Sequence, residues 1–237
     1  MKIKIINPAV DIPDAYIERW KIYLKKYLRP DTGIEFEGIT WGFPSVETET
    51  QDIINGAEIL KLIKRIQEDD YDGIFINCFD DPAVVAAREF SKIPVLGPYV
   101  PSILFGSMLA DKLAIISTDK YGVICEERKS HAHQTKSRIS KIMDIEMTVL
   151  ELADDEKLLK RLVECCKELS KFQIGVVVLG CTGMGHISDK LMLALQQNNI
   201  DMQIVEPLRT GVTMLEYMLH MRHKNLICST SFGDFPK

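Results

Sequence analysis

The chain has 237 residues, 46% hydrophobic and 27% charged, with a formal net charge of -5. That composition belongs to a globular protein long enough for one large or two small domains, and its acidic balance excludes a general nucleic-acid binder, which needs a basic surface to neutralise phosphate. No apolar run reaches the length of a membrane span, and the opening Met1-Lys2-Ile3-Lys4 runs straight into a strand pattern with no secretory leader, so the cytoplasm is the expected compartment.

Strand-like runs alternate with helical patterns. Residues 2–7 form a short apolar run, and 14–28 follow with Tyr16, Ile17, Trp20, Tyr23, Leu24, Tyr27 and Leu28 on one helical face. A strand is predicted over 34–40, a helix over 47–68, a buried strand over 73–78 and a short strand over 94–97. Asp81-Pro82 has the form of a helix start, Asp as cap and Pro at the first position. The order then recurs: strand 112–117, mostly helix 120–141, strand 144–150, helix 155–171, strand 174–180, helix 183–197, strand 202–206 and helix 208–223. Continuous apolar strands separated by helices imply α/β architecture with mainly parallel sheets covered on both faces.

The two halves look like copies. Residues 2–7 match 112–117 at an offset of 110, and Cys78 matches Cys181 at an offset of 103. After each cysteine comes a helix pattern and then a short strand ending at Pro98 or Pro207. Matching order and spacing point to internal duplication. The seam falls near 98–101, and the last helix is expected to pack back on the first half. The expected division is 1–98 plus 210–237 as one domain and 99–209 as the other.

Six cysteines, irregularly spaced in a core-rich chain, read as free thiols. Cys125, Cys165, Cys166 and Cys228 are expected to be structural. Cys78 and Cys181 differ, because each stands just past an apolar strand and ahead of a helix pattern, where a helix N-terminus lowers a thiol's pKa. Two such thiols suit the inversion of a carbon beside a carbonyl: one removes the proton, and the other delivers a proton to the opposite face. Backbone N–H groups at helix starts would stabilise the enolate oxygen. This chemistry needs neither metal nor cofactor. Other thiol chemistries fit badly: Val84 and Ile187 stand where a phosphatase-type cysteine needs arginine, Ile76 and Leu179 where a nucleophile elbow needs glycine, and C-x-x-C is absent. His131 and His133 read as a solvated helical face, and His186 as structural.

In these motifs the chain resembles the aspartate/glutamate racemase superfamily, and within it the hydantoin racemases, which include allantoin racemase. The matching pieces are Ile6-Asn7-Pro8, Cys78-Phe79-Asp80-Asp81-Pro82 with Ala86-Ala87-Arg88-Glu89, Pro94-Val95-Leu96-Gly97 and Leu179-Gly180-Cys181-Thr182-Gly183-Met184. The resemblance implies two pseudo-symmetric α/β domains with the site in the cleft between them, and Cys78 and Cys181 as the acid/base pair. It places Asn7, Phe79, Asp80, Ser117, Thr118, Thr182 and Gly183 near a small-molecule substrate, and it implies a homo-oligomer. Asp81 is expected only to cap a helix or form a turn. Amino-acid racemases of the superfamily carry Asn-Thr after the first cysteine; Phe79-Asp80 stands here, and an acid beside the base disfavours an anionic dicarboxylate. Pro98-Tyr99 and Ala9 also depart from the hydantoin pattern. The expected activity is racemisation at C5 of a 5-substituted hydantoin. The alternatives are an aspartate or glutamate racemase, a maleate isomerase-like enzyme, an arylmalonate decarboxylase, or a binding protein without catalysis on the same scaffold.

Overall fold

The computed structural model describes residues 1–66 and 71–222. Cys228, the ends of the helices expected at 47–68 and 208–223, and most of the 210–237 segment assigned to the first domain lie outside the described residues. Two four-stranded parallel sheets organise the chain. The first comprises β1 (Lys2–Asn7), β2 (Gly33–Gly38), β3 (Gly73–Ile76) and β4 (Val95–Leu96), in the order β2-β1-β3-β4. The second comprises β5 (Leu113–Ser117), β6 (Ile139–Asp144), β7 (Val176–Leu179) and β8 (Gln203–Val205), in the order β6-β5-β7-β8. The two orders are the same with the count shifted by four, as a duplicated unit requires.

The central strands explain themselves. Ile3, Ile5, Ile6, Ile74, Phe75 and Ile76 in one sheet, and Ile115, Ile116, Val177 and Val178 in the other, are all inaccessible. With both faces covered there is no polar alternation, which is why these strands read as unbroken apolar runs. Each such side chain contributes about 1.5–3 kcal/mol by leaving water.

Around the sheets lie α1 (Asp14–Leu24), α2 (Glu49–Ile66), α3 (Val84–Phe90), α4 (Tyr99–Leu109), α5 (Lys120–Ala132), α6 (Asp155–Ser170), α7 (Ser188–Gln197) and α8 (Pro207–His220). The closing helices are exchanged. Helix α4 follows β4 of the first sheet, yet its Tyr99 and Ile103 pack with Leu113, Ile115, Val176 and Val178 of the second. Helix α8 follows β8 of the second sheet, yet its Leu208, Val212 and Leu215 pack with Ile3, Ile5 and Phe75 of the first.

Five elements differ from expectation. The helix from 120 ends at Ala132 rather than 141, and the strand after it is Ile139–Asp144, not 144–150. This is an edge strand with only Ile139 buried, so its sequence lacks an apolar run. Helix α4 went unread as a helix because it is apolar almost all round. Asp81 does not start the helix that follows it. Asp81 and Ala83 both have positive φ, and α3 begins only at Val84. The Asp81 carboxylate instead accepts from the Tyr99 backbone N–H (3.2 Å) and so caps α4. Finally, α1 stops at Leu24 rather than 28, where the chain tightens into turns.

Candidate active site

The carboxyl ends of β1, β3, β5 and β7 converge on one cavity of about 410 Å³, of a size suited to a small molecule. Cys78 stands two residues past β3 and Cys181 two past β7, equivalent places in the two sheets, and both line it. Asn7, Phe79, Asp80, Ser117, Thr118, Thr182 and Gly183 line the same cavity. The backbone brings them there: Asn7 and Ser117 end the central strands β1 and β5, beside β3 and β7.

Each cysteine is held differently. Cys181 caps a 3-10 helix, Thr182–Ile187, its sulfur accepting from the Gly183 N–H at 3.3 Å. His186 ties that turn down, Nδ1 bonding the Gly183 carbonyl oxygen and Nε2 the Asp155 carboxylate, both at 2.8 Å. Gly185 has no room for a Cβ, because the Glu206 carboxylate lies against it. Glu206 in turn caps α8, accepting from the N–H groups of Leu208 and Arg209 at 2.8 and 2.7 Å. Cys78 has no helix start behind it, since the turn through Asp81 and Ala83 separates it from α3. The expectation of two flanking helix N-termini therefore holds only for Cys181, and there for a 3-10 helix.

The expected lowering of the thiol pKa values is also reversed. Burial pushes the Cys78 thiol well above its ordinary value; Asp80 and Cys181 push the same way, while the Asp80 N–H and Lys129 oppose them. Burial pushes Cys181 up to about 12, against the Gly183 N–H. Desolvation of a thiolate outweighs one or two N–H dipoles.

Lys129 of α5 is the residue that sequence reasoning missed. Its Nζ donates to the Phe79 carbonyl oxygen (2.6 Å), Asp80 Oδ1 (3.1 Å) and Glu126 Oε1 (3.1 Å). It also lies 4.7 Å from the ring centres of both Phe79 and Tyr99. The Phe79 ring is buried edge-on against Tyr99, which anchors its loop at the cavity wall. A second tie between the halves is the Thr182 hydroxyl, which donates to the Asn77 carbonyl oxygen at 3.3 Å. Cys125, expected to be structural, lines the cavity as well; Cys165 and Cys166 are buried in the second core. The titratable lining is mostly acidic: Asp11, Glu47, Asp80, Asp119 and Glu126 against Arg19, with burial pushing Glu126 up to about 8 and Lys129 paired to Asp80. Among the described residues no helix is long and apolar enough to cross a membrane.

Known proteins agree with this architecture. The family model described as Asp/Glu/hydantoin racemase matches residues 8–215. A hydantoin racemase of Pseudomonas sp. (strain NS671) is 25% identical over 228 residues, covering 94% of this chain and 88% of that protein. One from Rhizobium meliloti is 27% identical over 177 residues, covering 74% and 71%. The allantoin racemase from Klebsiella pneumoniae superposes with a TM-score of 0.85 at 25% identity, covering 100% of this chain and 94% of that one. A match along most of its length, on a scaffold of two parallel sheets, makes this chain a member of the Asp/Glu/hydantoin racemase family and, with it, a racemase.

Proposed function

We propose that this racemase inverts C5 of a 5-substituted hydantoin without a cofactor, with Cys78 and Cys181 as the acid/base pair. One observation carries the reading: two thiols at equivalent positions of duplicated sheets line one cavity. C5–H of a hydantoin is acidic because the C4 carbonyl stabilises the enolate. The thiolate of one cysteine takes the C5 proton, the charge moves to O4, and the thiol of the other cysteine returns a proton to the opposite face. The two residues leave with protonation states exchanged, ready for the reverse direction. Asp80 is balanced by Lys129, but Asp11, Glu47 and Asp119 leave the lining acidic beyond Arg19, which disfavours a dicarboxylate such as aspartate or glutamate and suits a neutral ring.

The exchanged helices support division into 1–98 plus 210–237 and 99–209. The exposed apolar side chains of Leu104, Met108 and Leu109 on α4 support a homo-oligomer. The cytoplasm remains the proposed compartment.

The test is proton NMR in D2O with L-aspartate, L-glutamate and a panel of 5-substituted hydantoins. Deuterium should enter at C5 of a hydantoin as optical rotation decays, and Cys78→Ser and Cys181→Ser should each stop inversion. Undiminished racemisation by the double Cys→Ala protein would refute the mechanism, and exchange confined to the amino acids would refute the substrate. In sedimentation the same preparation should run above the 26.9 kDa of one chain.

A further inference from the structure

Asn55-Gly56 is a dipeptide that ordinarily marks a turn, yet it stands in the middle of helix α2. Asparagine is a poor helix former, and this one is inaccessible to solvent, so its amide is tolerated there only if it is well bonded. Three hydrogen bonds hold it, and all three go to loops. Asn55 Nδ2 donates to the Pro8 carbonyl oxygen at 2.8 Å and to the Phe43 carbonyl oxygen at 3.1 Å, and Asn55 Oδ1 accepts from the Phe43 N–H at 2.8 Å. Pro8 opens the loop between β1 and α1, and Phe43 belongs to the loop between β2 and α2. The main chain adds a bond between the two loops, from the Val10 N–H to the same Phe43 carbonyl oxygen at 3.2 Å. Gly42 lies so close to the amide that a Cβ there would meet Asn55 Oδ1, and its φ of 133° suits glycine alone. Both loops line the cavity, the first with residues 8–13 and the second with residues 44–47, whereas Asn55 does not.

We propose that Asn55 is a positioning residue of the racemase, holding the two loops together as one preformed wall against which substrate binds. The inference rests on this cavity being the site of the reaction, and it does not depend on which small molecule the cavity takes. A wall already in place spares the substrate the entropic cost of ordering it, so Asn55 contributes to affinity. The chemistry is assigned to Cys78 and Cys181, which follow β3 and β7, while Asn55 bonds the loops that follow β1 and β2. Its loss is therefore felt in KM far more than in kcat.

The experiment measures kcat and KM for Asn55→Ala and Gly42→Ala beside the wild type, on whichever of 5-benzylhydantoin, allantoin, L-aspartate and L-glutamate the wild type turns over. Asn55→Ala removes all three bonds; Gly42→Ala leaves α2 intact and drives the loop off the amide. In each, KM should rise about tenfold while kcat stays within about twofold, the pattern of lost binding rather than lost chemistry. Hydrogen exchange read by mass spectrometry should quicken in peptides covering 8–13 and 43–47 and stay unchanged in those covering 73–78 and 176–181. A merely structural role gives a different result, because a smaller active fraction lowers the apparent kcat and leaves KM where it was. That outcome in both variants would overturn the proposal, as would unchanged exchange in the two loops. If Asn55→Ala does not fold, as judged by circular dichroism, Gly42→Ala alone decides. Turnover of an amino acid alone would remove the hydantoin reading and leave this test intact, whereas turnover of hydantoins with KM unmoved in the variants removes this inference only.

Discussion

Around Cys78, one side chain sets the electrostatics and another answers it. Asp80 is the largest charge opposing ionisation of Cys78, after burial itself, and Lys129 is the cation that opposes Asp80. Lys129 stays charged in its buried setting because Asp80, Glu126 and Asp81 all favour its charged form. Replacing Asp80 with asparagine removes the like charge and leaves Lys129 facing the thiol. The sign follows: the Cys78 pKa falls, so the thiolate appears at lower pH. The rising limb of alkylation rate against pH for Cys78, read with iodoacetamide in the Cys181→Ser background, should move to lower pH in Asp80→Asn. No movement, or movement upward, would show that Asp80 acts only through the backbone. Removing Lys129 itself is a poorer probe, because it strands two carboxylates in a buried cluster and costs about 3–5 kcal/mol of stability.

Asp81 belongs to the scale of the element, since its work is to start α4. The carboxyl is buried and pushed up to about 7, with the Tyr99 N–H, Lys129 and Arg88 opposing that shift. In the unfolded chain it ionises near pH 4; in the folded protein only near 7. The folded state therefore loses stability as pH rises from about 4 to about 7, by at most about 4 kcal/mol. Asparagine keeps an acceptor for the Tyr99 N–H, tolerates the positive φ at this position and never ionises. Asp81→Asn should thus melt with the wild type near pH 4.5 and clearly above it at pH 8; a pH-independent difference would contradict the assignment. The same residue marks the limit of what was legible in the sequence. Asp81-Pro82 has the form of a local cap, but its partner is 18 positions away. Helix α4 has no period to betray it, and β6 at the sheet edge has no apolar run. The site divides in the same way. The cysteines, Asn7 and Ser117 could be placed at the cavity because each ends or closely follows an apolar strand, and strand ends face the cleft in such folds. Lys129 was not, because on its own helix it reads as one more surface lysine and its partners Phe79 and Asp80 lie 50 and 49 positions back.

At the scale of the whole molecule the decisive feature is the exchange of closing helices. A chain of two similar units joined by a plain linker would unfold in two steps, each unit melting on its own. Here α4 completes the core of the second sheet and α8 that of the first, so neither core closes without residues from the other half. Gly211 of α8 has no space for a Cβ because the Phe75 ring of β3 and the Pro98 backbone lie against it, so the helix is seated closely on the first sheet. Thr182 and Lys129 add hydrogen bonds across the cavity itself. Coupling on this scale predicts one cooperative transition, with calorimetric and van't Hoff enthalpies equal. Leu215→Ala tests it. Leu215 is inaccessible, and its truncation should cost about 2–5 kcal/mol. Although Leu215 packs only in the first core, the variant should shift the entire transition to lower denaturant without changing its slope. A probe in the second half, such as the reactivity of Cys166, should report the same midpoint as one in the first. A split into two transitions, with the second-half probe unmoved, would show that the exchanged helices join the two units without making them one folding unit.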